Sequence, residues 1–517
     1  GSGKTSIALH RIAYLLYRKR MQLKAANIVI YSPSDIFSDY ISEVLPDLGE
    51  ENVNQATLQE YAKKIVNLPD YNIESSFEQY EYLLSYQADS AWAIRNEAMR
   101  FKSSPQFLTI LEDYISYLED SYRSVPDFIY NGLVVLSGAE FYSCVKEQYR
   151  YLPFKKRLEK LARRLNALLE PLEEKRKLAI AREVELKGFM QGKSDREIQR
   201  YAYRKALEET ANLKARMTKL IDFNLVDSYL ELFANLILLS ELTSDLPDNI
   251  REIAQRTLAD FKNGYITHED LMALAFLRQR LESYTPENNI KHLVIDEVQD
   301  YSAVELKVLA QTYTDATLTV LGDPNQALLE KGDPRKYVLE ALGIPNNTVI
   351  NLKKSYRSTE EITTFARAFA DTPTEVEPVL RKGSKPEVII SSNPVNELLA
   401  LLEKQTLKNK KSVAIITKTY SQANELSSML KGKVTANKIG EDDQVLLTGL
   451  LIIPVFLAKG LEFDVAIVWD FSSYQAEEKR LLYIASTRPL HELYLIGTKK
   501  GDLLTLADPQ NYQLSIS

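Results

Sequence analysis

One ten-residue stretch, Lys291–Asp300, constrains the fold more than any other part of the chain. Its sequence, KHLVIDEVQD, is typical of a short buried strand, His292 to Ile295, that ends directly in Asp296 and Glu297. Such a strand places both carboxylates at the carboxyl edge of a sheet, where open parallel sheets bind their ligands. The stretch predicts either a nucleotide site, with one acid on Mg²⁺ and the other polarising the attacking water, or a strand that ends in a solvated acidic turn.

The start of the chain favours the nucleotide site. The run Gly1-Ser2-Gly3-Lys4-Thr5 is the last part of the pattern G-x-x-x-x-G-K-[ST]. In that pattern backbone N–H groups wrap the phosphates, the lysine reaches the β/γ oxygens and the hydroxyl binds Mg²⁺. Ser6–Arg18 follows with helical spacing, which puts the loop at a helix N-terminus, where anions are favoured. The first glycine of the pattern would lie before residue 1.

Length and composition set the outer bounds. A chain of 517 residues is too long for one core and predicts two to four domains. The longest apolar run, Gly449–Ala458, is too short to span a membrane, and no signal peptide is visible. Cys144 is the only cysteine, so a reducing cytoplasm is the simplest location.

Two hydroxyl residues follow strand-like segments near the start of the chain. Ser32 comes after Ala26–Tyr31, and Thr57 after a second strand near Val53. Loops after such strands face the same sheet edge as the predicted nucleotide site, where Ser and Thr hydroxyls can contact a nucleic-acid backbone. Helix capping is the other interpretation of both residues.

The alternation of strands and helices stops between residues 68 and 267, where long helical segments take over. Residues 70–141 hold 12 acidic residues against 4 basic ones, whereas residues 155–219 hold 19 Lys/Arg against 10 acidic residues. The basic part predicts a helical hairpin with a break near Gly192. It could grip nucleic acid, enter an acidic protein groove, or be a solvated hairpin. The acidic part could occupy a basic channel of another protein.

Strands return after the helical region. The segment Leu318–Leu321 ends in GDPNQ, which suits a sensor amide at Gln326 or a simple turn. The predicted division is 1–67 and 268–350 for a first domain, 68–267 for an insertion in it, and 351–517 for a second domain. The strands expected in the second domain are Glu387–Ile390, Ser412–Ile416, Leu450–Val455 and Val465–Trp469.

Three side chains of the second domain are candidates for nucleotide contact. Tyr356 can stack on a base, and Arg357 can reach a γ-phosphate. Arg488 follows the predicted helix Glu477–Ala485, where it could act as an arginine finger, worth about 10³–10⁵ in rate. Exposed placement or a surface ion pair is the alternative for each of them.

Taken in order, the motifs resemble those of UvrD/Rep-type superfamily 1 helicases. The matching segments are GSGKT, VIDEVQD, LGDPNQ, LKKSYRST, LAKGLEFDVAIV and LLYIASTRPLHELYL. The phrases KHLVIDEVQDYS and AKGLEFDVAIVW, with the large helical insertion, are most similar to HelD-like members, which are ATPases that bind bacterial RNA polymerase. The resemblance implies an α/β fold of two RecA-like P-loop NTPase motor domains, with a large mostly helical insertion in the first that enters the polymerase's main channel.

The resemblance also implies residue roles, with ATP and Mg²⁺ as cofactors between the two motor domains. The phosphates would be held by Gly1, Ser2, Gly3, Lys4 and Thr5, and Mg²⁺ by Thr5 and Asp296. Glu297 would act on the attacking water, Gln326 and Arg357 would sense the γ-phosphate, and Arg488 would be the arginine finger. Tyr356 would stack on the adenine, Glu462 would contact the ribose, and Gly460 would also belong to the nucleotide-binding residues.

Departures from the family pattern bear on activity. The segment Leu328–Asp333, LLEKGD, lacks the usual aromatic residue that stacks single-stranded bases, a contact worth about 1–3 kcal/mol per base. Only about a hundred residues separate Arg357 from Lys459, too few for the usual 2B domain.

We therefore expect a monomeric ATPase that remodels or recycles bacterial RNA polymerase, with DNA or RNA contact possible. The alternatives are a 3′–5′ DNA helicase stimulated by single-stranded DNA, and a non-catalytic polymerase-binding module with a structural nucleotide.

Overall fold

Two parallel sheets and a long helical region make up the protein. The structure, a computed structural model, describes residues 3–32, 45–46, 49–85, 89–282, 289–328, 334–344, 347–352, 354–372, 377–378, 381–404, 410–441, 443 and 448–517. The first domain begins with α1 (Lys4–Arg18), β1 (Ile28–Tyr31), β2 (Asn54–Ala56) and α2 (Leu58–Val66).

A helical insertion follows α2. Its elements are β3 (Asn72–Ile73), α3 (Ser76–Leu84), α4 (Ser90–Lys102), α5 (Pro105–Ser121), β4 (Phe128–Tyr130), β5 (Leu133–Leu136), α6 (Gly138–Ser143), α7 (Phe154–Leu186), α8 (Asp195–Ile221), α9 (Leu225–Ala234), α10 (Leu236–Leu242), α11 (Ile250–Lys262) and β6 (Tyr265–Ile266). β3 pairs in parallel with β6, so the chain enters and leaves the insertion at one place.

The two longest helices, α7 and α8, pack along each other as a hairpin that we call the arm. At its base Leu158, Leu161 and Leu165 recur at three- and four-residue spacing and are buried. A helix of this length extends about 50 Å. The turn contains Gly188 and Gly192 with positive φ, a conformation that favours glycine. The predicted break near Gly192 is confirmed.

The first domain resumes after β6 with α12 (His268–Glu282), β7 (His292–Ile295), α13 (Ala303–Thr312), β8 (Thr317–Val320) and α14 (Pro334–Leu342). Its sheet has the order β2-β1-β7-β8 and is parallel throughout. Every residue from His268 to Leu277 in α12 is buried. One hydrophobic cluster runs from Val29 in β1 through α12 to Leu158 in α7. The insertion and the first domain therefore share a continuous core.

The second domain contains a larger sheet. Its elements are β9 (Lys354–Ser355), α15 (Glu360–Ala366), β10 (Glu377–Pro378), β11 (Glu387–Ile390), α16 (Pro394–Glu403), β12 (Ser412–Thr417), α17 (Tyr420–Leu430), β13 (Asn437–Lys438), β14 (Gly449–Pro454), α18 (Val455–Ala458), β15 (Phe463–Trp469), α19 (Lys479–Ser486), β16 (Pro489–Gly497) and β17 (Gln513–Ile516). Seven strands pair in parallel in the order β13-β14-β12-β15-β16-β11-β17.

The predicted α/β class with a mostly helical insertion is confirmed. The four strands expected in the second domain correspond to β11, β12, β14 and β15, with ends that differ by at most two residues. Helices in the described ranges all fall short of the length and apolar content that crossing a bilayer requires.

Buried ion pairs join the insertion to the first domain. Arg95 of α4 contacts Glu74 at 2.6 Å and Glu269 at 2.5 Å, and all three side chains are at most 5% exposed. Lys102, at the end of the same helix, contacts Asp270 at 2.6 Å. Because charges buried in this way are tolerated only when paired, these contacts fix the insertion relative to α12.

We expect Arg95→Ala to lower the apparent free energy of unfolding by about 3–5 kcal/mol, because Glu74 and Glu269 would stay buried without their cation. Urea denaturation followed by circular dichroism measures the change. Arg163→Ala removes an arginine whose side chain is 80% exposed, so this control should unfold almost like the parent. Equal effects of the two substitutions would contradict the structural role of Arg95.

Candidate nucleotide site between the two domains

The N-terminus of α1 lies at the carboxyl edge of the first sheet. Gly3 precedes this helix with φ of +72° and ψ of 26°, and its carbonyl accepts the N–H of Ile7 at 2.9 Å. The left-handed conformation suits glycine because it has no Cβ. Free N–H groups of a first helical turn favour anions. Gly1 and Ser2, predicted to hold phosphate, lie outside the described residues.

Thr5 and Asp296 meet at this helix N-terminus. The Thr5 hydroxyl donates to Asp296 Oδ2 at 2.9 Å, and the backbone N–H of Glu297 donates to Oδ1 at 2.9 Å. Lys4 Nζ lies 3.4 Å from Asp323 Oδ2. A hydroxyl and a carboxylate side by side form the kind of oxygen donor set that Mg²⁺ accepts.

Glu297 has an unusual backbone conformation in the turn that follows strand β7. Its φ of 49° and ψ of 43° are left-handed, which is uncommon for a residue other than glycine. Gln299 Nε2 donates to Glu297 Oε2 at 2.5 Å, and Gln299 Oε1 accepts the N–H of Asp323 at 2.8 Å. One buried amide thus holds the carboxylate and the loop after β8 together.

The two neighbouring acids differ in proton affinity. Burial and the adjacent Glu297 carboxylate raise the pKa of Asp296 to about 7. Burial would also raise the pKa of Glu297, but the charges of Lys459 and Lys4 outweigh it and lower that pKa. Glu297 is therefore ionised at neutral pH and can accept a proton or orient a water molecule.

Gln326 and Arg488 connect the domains at the site. Gln326 Nε2 donates to Asp323 Oδ2 at 2.9 Å, and Arg488 Nη2 donates to Gln326 Oε1 at 3.0 Å. Arg488 is only 1% exposed. Burial and the nearby Arg357 lower the pKa of Arg488 to about 10, so it remains charged at neutral pH. The predicted finger thus faces the first domain.

The remaining predicted residues lie at the edge of the second domain. Arg357 Nε donates to Glu462 Oε1 at 2.6 Å, so the residue predicted to contact the ribose is paired with the one predicted to contact phosphate. Tyr356 is 63% exposed. Gly460 has a φ of +85° and lies in the turn before Glu462. These four are separate from the hydrogen-bonded array that runs from Thr5 to Arg488.

Family comparisons agree with this geometry. Residues 1–330 match the model of the UvrD/REP helicase N-terminal domain. The chain belongs to the UvrD/Rep helicase family. Residues 449–496 match the UvrD-like helicase C-terminal domain, so the two parallel-sheet domains correspond to RecA-like motor domains.

Individual relatives of this UvrD/Rep-family protein are distant. The putative ATP-dependent DNA helicase R568 of Acanthamoeba polyphaga mimivirus is 22% identical over 322 residues, which cover 51% of this chain and 44% of that protein. The ATP-dependent DNA helicase srs2 of Schizosaccharomyces pombe is 26% identical over 163 residues, or 31% and 17% of the two chains. The chain spans less than half the length of either curated relative.

Similarity to solved structures is partial. The C-terminal domain of a possible DNA helicase from Lactobacillus plantarum WCFS1 has a TM-score of 0.27 and 29% identity. The matched region covers 31% of this chain and 98% of the Lactobacillus chain.

Several residues that shape the site in this UvrD/Rep-family protein were missed from the sequence. Lys459 donates to both oxygens of Asp300 and to the carbonyl of Gln326, each at 2.6 Å. Besides Lys459 and its partner Asp300, the missed residues are Gln299 and Asp323. All four lie within the quoted motifs, in DEVQD, GDPNQ and AKGLEF, and this position was the only available signal.

Asp300 makes the stability of the protein depend on pH. Burial raises its pKa to about 6, against the opposing attraction of Lys459. An aspartate in an unfolded chain titrates near 3.9. Between about pH 4 and pH 6 the folded protein therefore keeps a proton that the unfolded chain releases. Its contribution to stability falls as the pH rises through this window.

We expect Asp300→Asn to remove this dependence. The apparent free energy of unfolding of the variant minus that of the parent should increase by about 2–3 kcal/mol as the pH rises from about 4 to about 7. Urea denaturation at a series of pH values measures the difference. Asp227→Asn, at an exposed position of α9, serves as the control and should run parallel to the parent. A parallel curve for Asp300→Asn would refute the assignment.

Proposed function

We propose that this protein is an ATP-hydrolysing motor of the UvrD type that binds bacterial RNA polymerase and remodels or recycles it, displacing nucleic acid. The observation that carries the ATP-hydrolysing part of the proposal is the array of hydrogen bonds from Thr5 in the first domain to Arg488 in the second. Residues from two domains that converge on one cleft suit a reaction coupled to domain closure.

The first domain would hold ATP and Mg²⁺. Lys4 and the backbone of Gly3, with Gly1 and Ser2, would bind the phosphates at the N-terminus of α1. Thr5 and Asp296 fit Mg²⁺, since their oxygens lie 2.9 Å apart there. Bound Mg²⁺ supplies charge neutralisation of the phosphate oxygens.

The chain's own side chains would then act on the reacting groups. Glu297, ionised and fixed by Gln299, orients the attacking water and receives its proton. Gln326 senses the γ-phosphate region, and Arg488 supplies positive charge from the second domain. Arg357 would leave its pair with Glu462 to reach the γ-phosphate.

The base and sugar would lie at the edge of the second domain. Tyr356 is exposed and can stack on the adenine. Glu462 would then accept from a ribose hydroxyl, beside the turn at Gly460. This assignment requires that nucleotide binding replace the Arg357–Glu462 contact at 2.6 Å.

The arm supports a HelD-like role. Its 155–219 segment carries 19 Lys/Arg against 10 acidic residues, and its turn exposes Leu186 and Phe189. Because the insertion shares a core with the first domain, rotation of that domain would carry the arm with it. Such a role belongs in the bacterial cytoplasm, and we expect the protein to act as a monomer on the polymerase.

We expect Glu297→Gln to lower the rate of ATP hydrolysis by about 10²–10⁴-fold, because the amide cannot accept the water proton. Nucleotide affinity should change little. Hydrolysis is measured by phosphate release, and binding by a fluorescent ATP analogue. The exposed Glu425→Gln in α17 is the control. Release of the polymerase from nucleic acid by Glu297→Gln at the parental level would support a non-catalytic binding module instead.

We expect Leu186→Asp to weaken capture of core RNA polymerase in a pull-down, because it puts a charge at the tip of the arm, where the parent side chain is 87% exposed. Ile237→Asp is the matched control, since Ile237 is 74% exposed in α10 of the same insertion. Absence of capture by the parent, with hydrolysis strongly stimulated by single-stranded DNA, would favour the 3′–5′ helicase.

A further inference from the structure

Helix α3 belongs to the insertion and also contacts the second domain. Its Tyr80 ring stacks on Phe456 with centroids 5.9 Å apart, and its Phe77 ring meets Phe456 and Tyr420 edge-on at 5.3 and 5.2 Å. Leu84 belongs to the second domain's hydrophobic cluster. The helix therefore packs into a core whose other buried residues belong to the second domain.

The same helix is fixed to the first domain. The N–H of Ser76 donates to Gln59 Oε1 at 2.8 Å, and Gln79 Nε2 donates to Glu269 Oε2 at 3.0 Å. Gln59 lies in α2, directly after β2, and Glu269 lies in the buried α12. One helix of nine residues thus spans the gap between the carboxyl edges of the two sheets.

The hydroxyl residues that were candidates for nucleic-acid contact are buried and lie beside α3. Ser32 and Thr57 follow β1 and β2 and are 2% and 8% exposed. They line one cavity together with Ser76, Gln79 and Tyr80. Thr57 accepts the N–H of Glu60 at 3.4 Å, which agrees with its interpretation as a helix cap. Both residues are thus buried beside α3.

On the second domain, α3 occupies the position that a phosphate would favour. The Glu81 carboxylate accepts the N–H of Tyr420 at 2.6 Å and of Ser421 at 2.8 Å, which are the first two residues of α17. A helix N-terminus favours anions, and here the chain supplies its own. The helix also carries Glu78 and has no basic residue, so it repels an approaching strand.

We infer that α3 is a built-in closure of the path along which a nucleic-acid strand would cross the two motor domains. The inference rests on the proposed motor function. When α3 is in this position, it lies between the carboxyl edges of the two sheets, along which the strand would run. Single-stranded nucleic acid can therefore bind there only after α3 leaves the second domain. The apparent affinity for the strand is then the intrinsic affinity multiplied by the fraction of molecules in which α3 has left.

Releasing α3 tests the inference. In the intact protein, Phe77→Ala combined with Tyr80→Ala removes the three ring contacts with the second domain. We expect this variant to bind a fluorescein-labelled oligothymidylate strand about tenfold more tightly by anisotropy at low salt. Tyr117→Ala combined with Tyr151→Ala, two exposed rings of the insertion, is the control and should bind like the parent.

Locking α3 gives the complementary measurement. Cysteines placed by Glu81→Cys and Ser421→Cys can be joined by a short bismaleimide, since native Cys144 is buried. The cross-linked protein should lose oligothymidylate binding, and the same protein without cross-linker should retain it. Parental affinity in the cross-linked protein, or no gain in the released variant, overturns the inference.

Hydrolysis of ATP without DNA is measured on every sample. Absence of basal hydrolysis in the parent would count against the proposed motor. The binding results alone decide whether α3 closes the path.

Discussion

The contact on which the site depends is the buried ion pair between Lys459 and Asp300. Lys459 belongs to the second domain, and its ammonium reaches both Asp300 oxygens and the Gln326 carbonyl at 2.6 Å. Neither charge has water to replace its partner, so separating them is costly. The pair connects the two domains beside the hydrogen bond from Arg488 to Gln326.

Residues that directly follow strands could be predicted from the sequence, because parallel strands bring their carboxyl ends to one edge. Asp296 and Glu297 follow β7 in this way, and Gln326 lies shortly after β8. Their partners could not be predicted. Gln299 bonds both Glu297 and the backbone of Asp323, and no local pattern specifies a bond between two loops. Placement was therefore predictable, whereas the hydrogen-bond network was not.

The closure by α3 shows the same limit in a helix. From the sequence, Phe77 and Tyr80 read as apolar positions of an amphipathic helix, and nothing indicates which core they enter. In the structure, one face of α3 bonds the first domain through Gln79, and another packs on Phe456 of the second. Tertiary packing alone determines that Ser32 is covered.

The motor domains are joined by polar contacts beside the nucleotide site, among them those of Lys459 and Arg488, and by the packing of α3. A movement that separated Tyr80 from Phe456 while Lys459 stayed paired would uncover the path that we infer α3 closes. Because α3 is anchored to α12, and α12 shares a core with the arm, α3 would stay with the first domain and the arm during that movement. The arm and the helix that we infer closes the path therefore belong to one packed unit, so a force on the arm would act on α3 as well.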